Sequence, residues 1–207
     1  MEASSRRASR VLELDRRSWA RALNLAVKVA LVACFALAIF APPSTLEGKA
    51  MGFRAPLFLA PAVLVPALAK LRGWDPYPHL GDALASAPFL LDTLGNLLGF
   101  YDDFGSTDDV LHTVNWVVLV GAYHAFRFRS VSDRRDAVLL GYGFGAIAIV
   151  WWELMEWAVS EDGFGGAGGL ALTYGDTIGD LLLSSTGGLV GSVLGVALLG
   201  PRVTGRT

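Results

Sequence analysis

The chain has 207 residues, is 53% hydrophobic and 17% charged, and carries a formal net charge of −2 with a mean hydropathy of +0.48. Soluble domains hold roughly 25% charged residues, and here long windows such as Ala137–Trp152 hold none. That pattern excludes a soluble domain built around one large core, and the near-neutral charge gives no electrostatic basis for nucleic acid as a partner.

A basic segment, 1–21, opens the chain with Arg6, Arg7, Arg10, Arg16, Arg17 and Arg21. The apolar run at about 22–41 follows, and with Ala41-Pro42 it resembles a secretory signal. At about twenty residues it exceeds the roughly 7–15 of a cleaved signal and reads as a retained first helix. Its Cys34 is the sole cysteine, so no intrachain disulfide can form. The second span, about 53–71, is the weakest: it contains Pro56, Pro61 and Pro66 and lies between Arg54 and Lys70. The third, about 83–101, is expected to kink at Pro88. The fourth and fifth fall at about 110–128 and 137–158, and the sixth at about 177–199, before a tail, 200–207. Gly187, Gly191 and Gly195 recur every four residues on the sixth span, and Gly141 and Gly145 do so on the fifth. Small residues in register let helix backbones approach, either within the chain or across a homo-oligomer.

Basic residues mark cytoplasmic segments. With the N-terminus inside, 14 of the 17 basic residues lie on the inner side, and only Lys49 and Arg54 lie outside. Lys28, inside the first span, can snorkel inward. The expected fold is therefore all-α: a polytopic membrane protein of six transmembrane helices (22–199), both termini cytoplasmic, in a bacterial inner membrane with the lipid bilayer as its surroundings.

In this topology acidic side chains and one histidine gather in the outer half of the bilayer. They are Asp92, Asp109, His112, Glu153, Glu156, Asp176 and Asp180. Residues three or four apart share a helix face, which pairs Asp109 (or Asp108) with His112, Glu153 with Glu156, Asp176 with Asp180, and Asp92 with Asn96. Two unit charges 4 Å apart interact by about 4 kcal/mol at an effective dielectric near 20, so several carboxylates in one pocket require bound protons or a cation. Oxygen ligands with one nitrogen suit Mg, Mn, Ca or Fe(II) better than a closed zinc site. Asp109, His112, Glu153, Glu156, Asp176 and Asp180 are the candidate metal ligands, and Glu153, Glu156 and Asp180 the candidate catalytic groups. The plainer alternatives are that Asp176 and Asp108 cap their helices, that Glu153 or Glu156 sits in an aromatic belt with Trp151, Trp152 and Trp157, and that His112 is merely hydrogen-bonded structure. His79 and His124 fall on the inner side and are weaker candidates.

Asp109-x-x-His112, Trp152-Glu153-Leu154-Met155-Glu156-Trp157 and Gly175-Asp176-Thr177-x-x-Asp180 together resemble the YjdF-like family of small polytopic bacterial inner-membrane proteins. The resemblance covers about 100–199 and implies a multi-helix membrane protein with shared acidic motifs and no particular reaction. The glycine-rich connection 159–175 departs from that pattern. An internal echo, Asp92-Thr93-Leu94-Gly95-Asn96 against Asp176-Thr177-Ile178-Gly179-Asp180, falls mid-helix in one copy and at a helix entrance in the other, which argues against inverted repeats. No serine-hydrolase elbow, His-Glu-x-x-His helix or phosphate-binding glycine loop occurs. Three functions fit: a metal-dependent enzyme acting on a lipid or envelope precursor, a cation- or proton-coupled transporter, and a structural or regulatory membrane subunit.

Overall fold

The computed structural model describes residues 9–127, 133–160 and 173–199. The C-terminal tail, most of the glycine-rich connection, and Arg6, Arg7 and Arg129 of the charge pattern lie outside them. Among the described residues every regular element is helical: α1 (Ser9–Arg16), α2 (Ser18–Phe40), a 3-10 turn at Ser44–Leu46, α3 (Met51–Arg72), α4 (His79–Leu97), a short α5 (Phe100–Asp103), α6 (Thr107–Arg127), α7 (Arg134–Val159) and α8 (Tyr174–Leu199).

The long helices form a bundle in which direction alternates along the chain. Near their starts α2 and α4 meet through Asn24 and Asp82, and near their ends Ala38 and Leu97 share one apolar cluster, so these two run parallel. Arg54 of α3 meets Asp92 of α4, and Phe58 meets Phe89, so that pair is antiparallel. His112 and His124 of α6 meet Ser184 and Ser192 of α8, again parallel. Ser192 also donates to the Val138 carbonyl of α7 over 2.7 Å, and Gly145 of α7 packs on Gly188, so α7 runs antiparallel to α8. One end of the bundle therefore collects the ends of α2, α4 and α7 with the starts of α3, α6 and α8.

Four helices, α2, α3, α7 and α8, are long and apolar enough to cross a membrane. The other two, α4 and α6, are 19 and 21 residues long and more polar. Their position explains the difference. They are the central helices: α4 packs on α2, α3 and α6, while α6 packs on α4, α7 and α8. Protein rather than lipid covers their polar groups, and a buried polar group survives only with such partners. The apolar helices instead turn large side chains outward, among them Leu25, Val29, Leu139, Ile147 and Leu182. An apolar exterior of that extent is what a bilayer requires. Pro56, Pro61 and Pro66 lie within α3, and Pro88 within α4, without ending either helix.

The glycine registers serve contacts within the chain. A Cβ at Gly191 would lie 2.6 Å from the Val117 carbonyl oxygen of α6, and one at Gly145 would lie 2.9 Å from the Val120 side chain. Gly187 similarly faces Thr113, and both Gly141 and Gly195 face His124. Glycine is needed here because the neighbouring helix occupies the space a side chain would take.

Asp133 caps α7, accepting from the backbone N–H groups of Arg135 (2.7 Å) and Asp136 (3.1 Å). The N–H groups of Asp136 and Arg135 hold its carboxyl below the ordinary carboxylate range. A depressed carboxyl stabilises the fold above the unfolded pKa of about 3.9 and loses that contribution as pH falls through the lower folded value. Asp133→Ala is thus expected to speed hydrogen exchange at the Arg135 and Asp136 amides at neutral pH, and the wild type should lose its protection there only in strong acid.

Candidate metal centre

The site is assembled at the end of the bundle where α6 and α8 begin and α7 finishes. On α6, Asp108 and His112 are one turn apart on the face toward α8; on α8, Asp176, Asp180 and Ser184 form the matching stripe; α7 contributes Glu153 and Glu156 from its last two turns. One ligand atom from each of His112, Glu153, Glu156 and Asp180 lies within 4.8 Å of the others. A second set, Asp108, Asp176 and Asp180, meets the same 4.8 Å limit and shares Asp180 with the first. A cation with bonds of about 2.0–2.6 Å sets its ligand atoms roughly 3–5 Å apart, so either set could close on an ion with little movement.

His112 is buried and held on two sides. Its Nδ1 shares a 2.9 Å hydrogen bond with the Ser184 hydroxyl, and its ring stacks on Trp116 at 5.8 Å. Nε2 then faces Asp180 at 3.6 Å and Asp108 at 3.7 Å. Those gaps are too long for hydrogen bonds and of the width that an ion shared by nitrogen and oxygen would produce. An imidazole fixed through one nitrogen with the other aimed at carboxylates is the usual arrangement of a metal-ligating histidine.

Glu153 is 9% exposed, and its Oε1 has no hydrogen-bond partner. Beside it, Trp152 packs on Phe58 at 5.8 Å and edge-on to Trp116 at 6.1 Å, so the floor of the site is aromatic. A buried carboxylate oxygen without a donor costs several kcal/mol in such surroundings. The aromatic-belt alternative therefore does not describe Glu153, which is buried inside the bundle. Glu156 is half-buried.

Asp92 stands apart from this group. Arg54, itself buried, donates to both of its oxygens at 3.4 and 3.2 Å, Tyr101 donates at 2.6 Å and Asn96 at 3.4 Å. The sequence placed Asp92 among the unneutralised acids; packing gives it a full set of donors. Lys49, at the same end of the bundle, pairs with Asp102 at 2.8 Å. Asp109 is exposed and belongs to neither close set, its place one turn before His112 being taken by Asp108. Nor does Asp176 cap α8: Thr173 Oγ1 accepts the Asp176 N–H at 3.1 Å, leaving the Asp176 carboxylate, though exposed, near Asp108 and Asp180. At α6 the Ser106 carbonyl accepts from Val110, and Asp108 is the second residue of the helix.

A second polar cluster, at the opposite end, was not foreseen. Asp82 of α4 is fully buried and takes Lys28 Nζ at 2.5 Å, Asn24 Nδ2 at 3.0 Å and the Tyr77 hydroxyl. Burial first, then the Asp82 carboxylate, pushes the Tyr77 phenol well above its ordinary value. The available signal was Asn24 and Lys28, i,i+4 on a helix otherwise apolar at that depth. At the same end of the bundle, the Ser192 hydroxyl, committed as donor to Val138, accepts from His124 Nε2 at 3.0 Å.

An apolar-surfaced helical bundle with charged groups sequestered between its central helices defines an integral membrane protein. The chain belongs to the family described as "Predicted membrane protein (DUF2238)", whose model matches residues 23–200. No curated protein and no solved structure matches it.

Proposed function

We propose that the chain crosses the bilayer six times with both termini cytoplasmic, and that it binds a divalent cation through His112, Glu153, Glu156 and Asp180. The site would open to the face away from the basic segments, where the bound cation would serve an enzyme acting on a lipid or envelope precursor. The observation that carries this reading is the buried Glu153, whose Oε1 has no hydrogen-bond partner and which offers a ligand atom to a set of four within 4.8 Å. A cation there would polarise a substrate oxygen or activate water, with a neighbouring carboxylate as base. The site's position at a bundle end suits a substrate that keeps its tails in the membrane.

Elemental analysis of the purified protein tests the reading. Wild type is expected to carry stoichiometric Mg, Mn, Ca or Fe, and Glu153→Gln to lose most of it while keeping its fold. Metal missing from the wild type after supplementation with each ion would sink the proposal.

Transport is the second reading, and the Lys28–Asp82 pair favours it. Both α4 acids, Asp82 and Asp92, are buried against cations, at opposite ends of one central helix, an arrangement that could close two access paths in turn. Metal influx into proteoliposomes containing the wild type, absent in Glu153→Gln, would select transport over catalysis.

A further inference from the structure

We infer that the centre holds two divalent cations bridged by the Asp180 carboxylate, the second ion being bound by Asp108 and Asp176. This rests on the reading that the first set of ligands binds a cation, and it adds a second site with its own ligands.

Asp180 is the hinge of the inference. It is 4% exposed and accepts no hydrogen bond among the described residues; its nearest basic neighbour, His112 Nε2, stands off at 3.6 Å. A carboxylate buried to that extent normally has donors at both oxygens. Asp180 is the one residue shared by the His112, Glu153 and Glu156 set and the Asp108 and Asp176 set, each of them inside 4.8 Å. A bridging carboxylate would satisfy both oxygens at once.

Charge leads to the same occupancy. Five carboxylates converge: Glu153, Glu156, Asp180, Asp108 and Asp176. The two nearby cations are committed elsewhere, Arg54 to Asp92 at 3.2 Å and Lys49 to Asp102 at 2.8 Å. With all five ionised, one divalent ion would leave three negative charges in a partly buried site, whereas two would leave one. Helix termini do not account for the second set either. Thr173 caps α8, and acids in a first turn gain from the helix dipole individually, which gives no reason for three of them to crowd together.

The two positions differ in access. Glu153 and His112 are buried, while Asp176 is exposed and Asp108 half-exposed. The second ion is therefore the exchangeable one and has open coordination positions for a substrate oxygen. Paired ions about 3.5–4 Å apart clamp the attacking and leaving oxygens of one displaced group, so the ligand class expected at this face is an oxyanion.

Mn2+ alone, titrated into the full-length protein in detergent, tests the inference by equilibrium dialysis and electron paramagnetic resonance. Wild type should bind two Mn2+ with an exchange-coupled spectrum. Asp108→Asn and Asp176→Asn should each keep one, with an isolated-ion spectrum and unchanged melting, and Asp108→Glu should restore the second. One Mn2+ in the wild type, insensitive to Asp108→Asn, would overturn the bridged pair and leave the single-cation reading standing. No Mn2+ in a folded wild type would overturn both.

Discussion

Arg54→Gln is expected to be among the most destabilising single substitutions in this protein, costing about 3–5 kcal/mol. The guanidinium lies 5% exposed against Asp92, and its removal leaves a carboxylate 6% exposed with only the Tyr101 and Asn96 donors. Removing one partner of a buried pair strands the other, whereas neutralising both removes the stranded charge. Arg54→Gln combined with Asp92→Asn should therefore recover more than half of the loss. The guanidinium also lies over the Phe58 ring at 5.2 Å, and that contribution the double variant does not recover. Thermal melting in detergent reads this out: for a chain of this size a 3–5 kcal/mol loss corresponds to roughly 6–20 °C. A single variant that melts with the wild type would show that Asp92 is neutralised by some other means. Cation binding at Glu153 should survive in the double variant, because Asp92 lies outside both close sets.

That separation of Asp92 from the other acids shows where sequence reasoning reached its end. Helical periodicity places Glu153 with Glu156, and Asp176 with Asp180, on shared faces without any structure, and alternating direction brings their depths together. Depth alone cannot assign neighbours around a bundle. Arg54, the fourth residue of α3, and Asp92, the sixth from the end of α4, lie at one level on consecutive antiparallel helices; counting inward from the helix ends could have paired them. His112 and Asp180 belong to parallel helices that are not adjacent in the chain, and nothing in the spacing selects that contact. Asp108 and Asp109 posed a different ambiguity. Both lie about one turn from His112, at i−4 and i−3, and the helix rotation that turns Asp108 inward and Asp109 outward is set by how α6 docks on α8.

The glycines of α8 set that docking, and Gly191→Ala is expected to disrupt fold and site together. The new methyl carbon would lie 2.6 Å from the Val117 carbonyl oxygen, 2.8 Å from its Cα and 3.0 Å from its carbonyl carbon. All three are backbone atoms, so no rotamer change can relieve the clash, and the two helices must move apart. Overpacking of this kind costs about 1–3 kcal/mol, against a gain in helix propensity of up to about 1 kcal/mol on replacing glycine by alanine. The clash outweighs the gain because the atoms in the way cannot rotate. Separation of α6 from α8 also parts Asp108 and His112 from Asp180 and Asp176, so cation affinity should fall along with the melting temperature even though no ligand is altered. Gly179→Ala is the matched control: it lies on the same helix, between the two α8 ligands, with nothing within 4 Å of the added carbon. It should melt at or above the wild-type temperature and bind cations normally. If Gly191→Ala behaves like Gly179→Ala in both assays, close backbone approach does not hold α6 against α8, and the convergence of the ligands must have another cause.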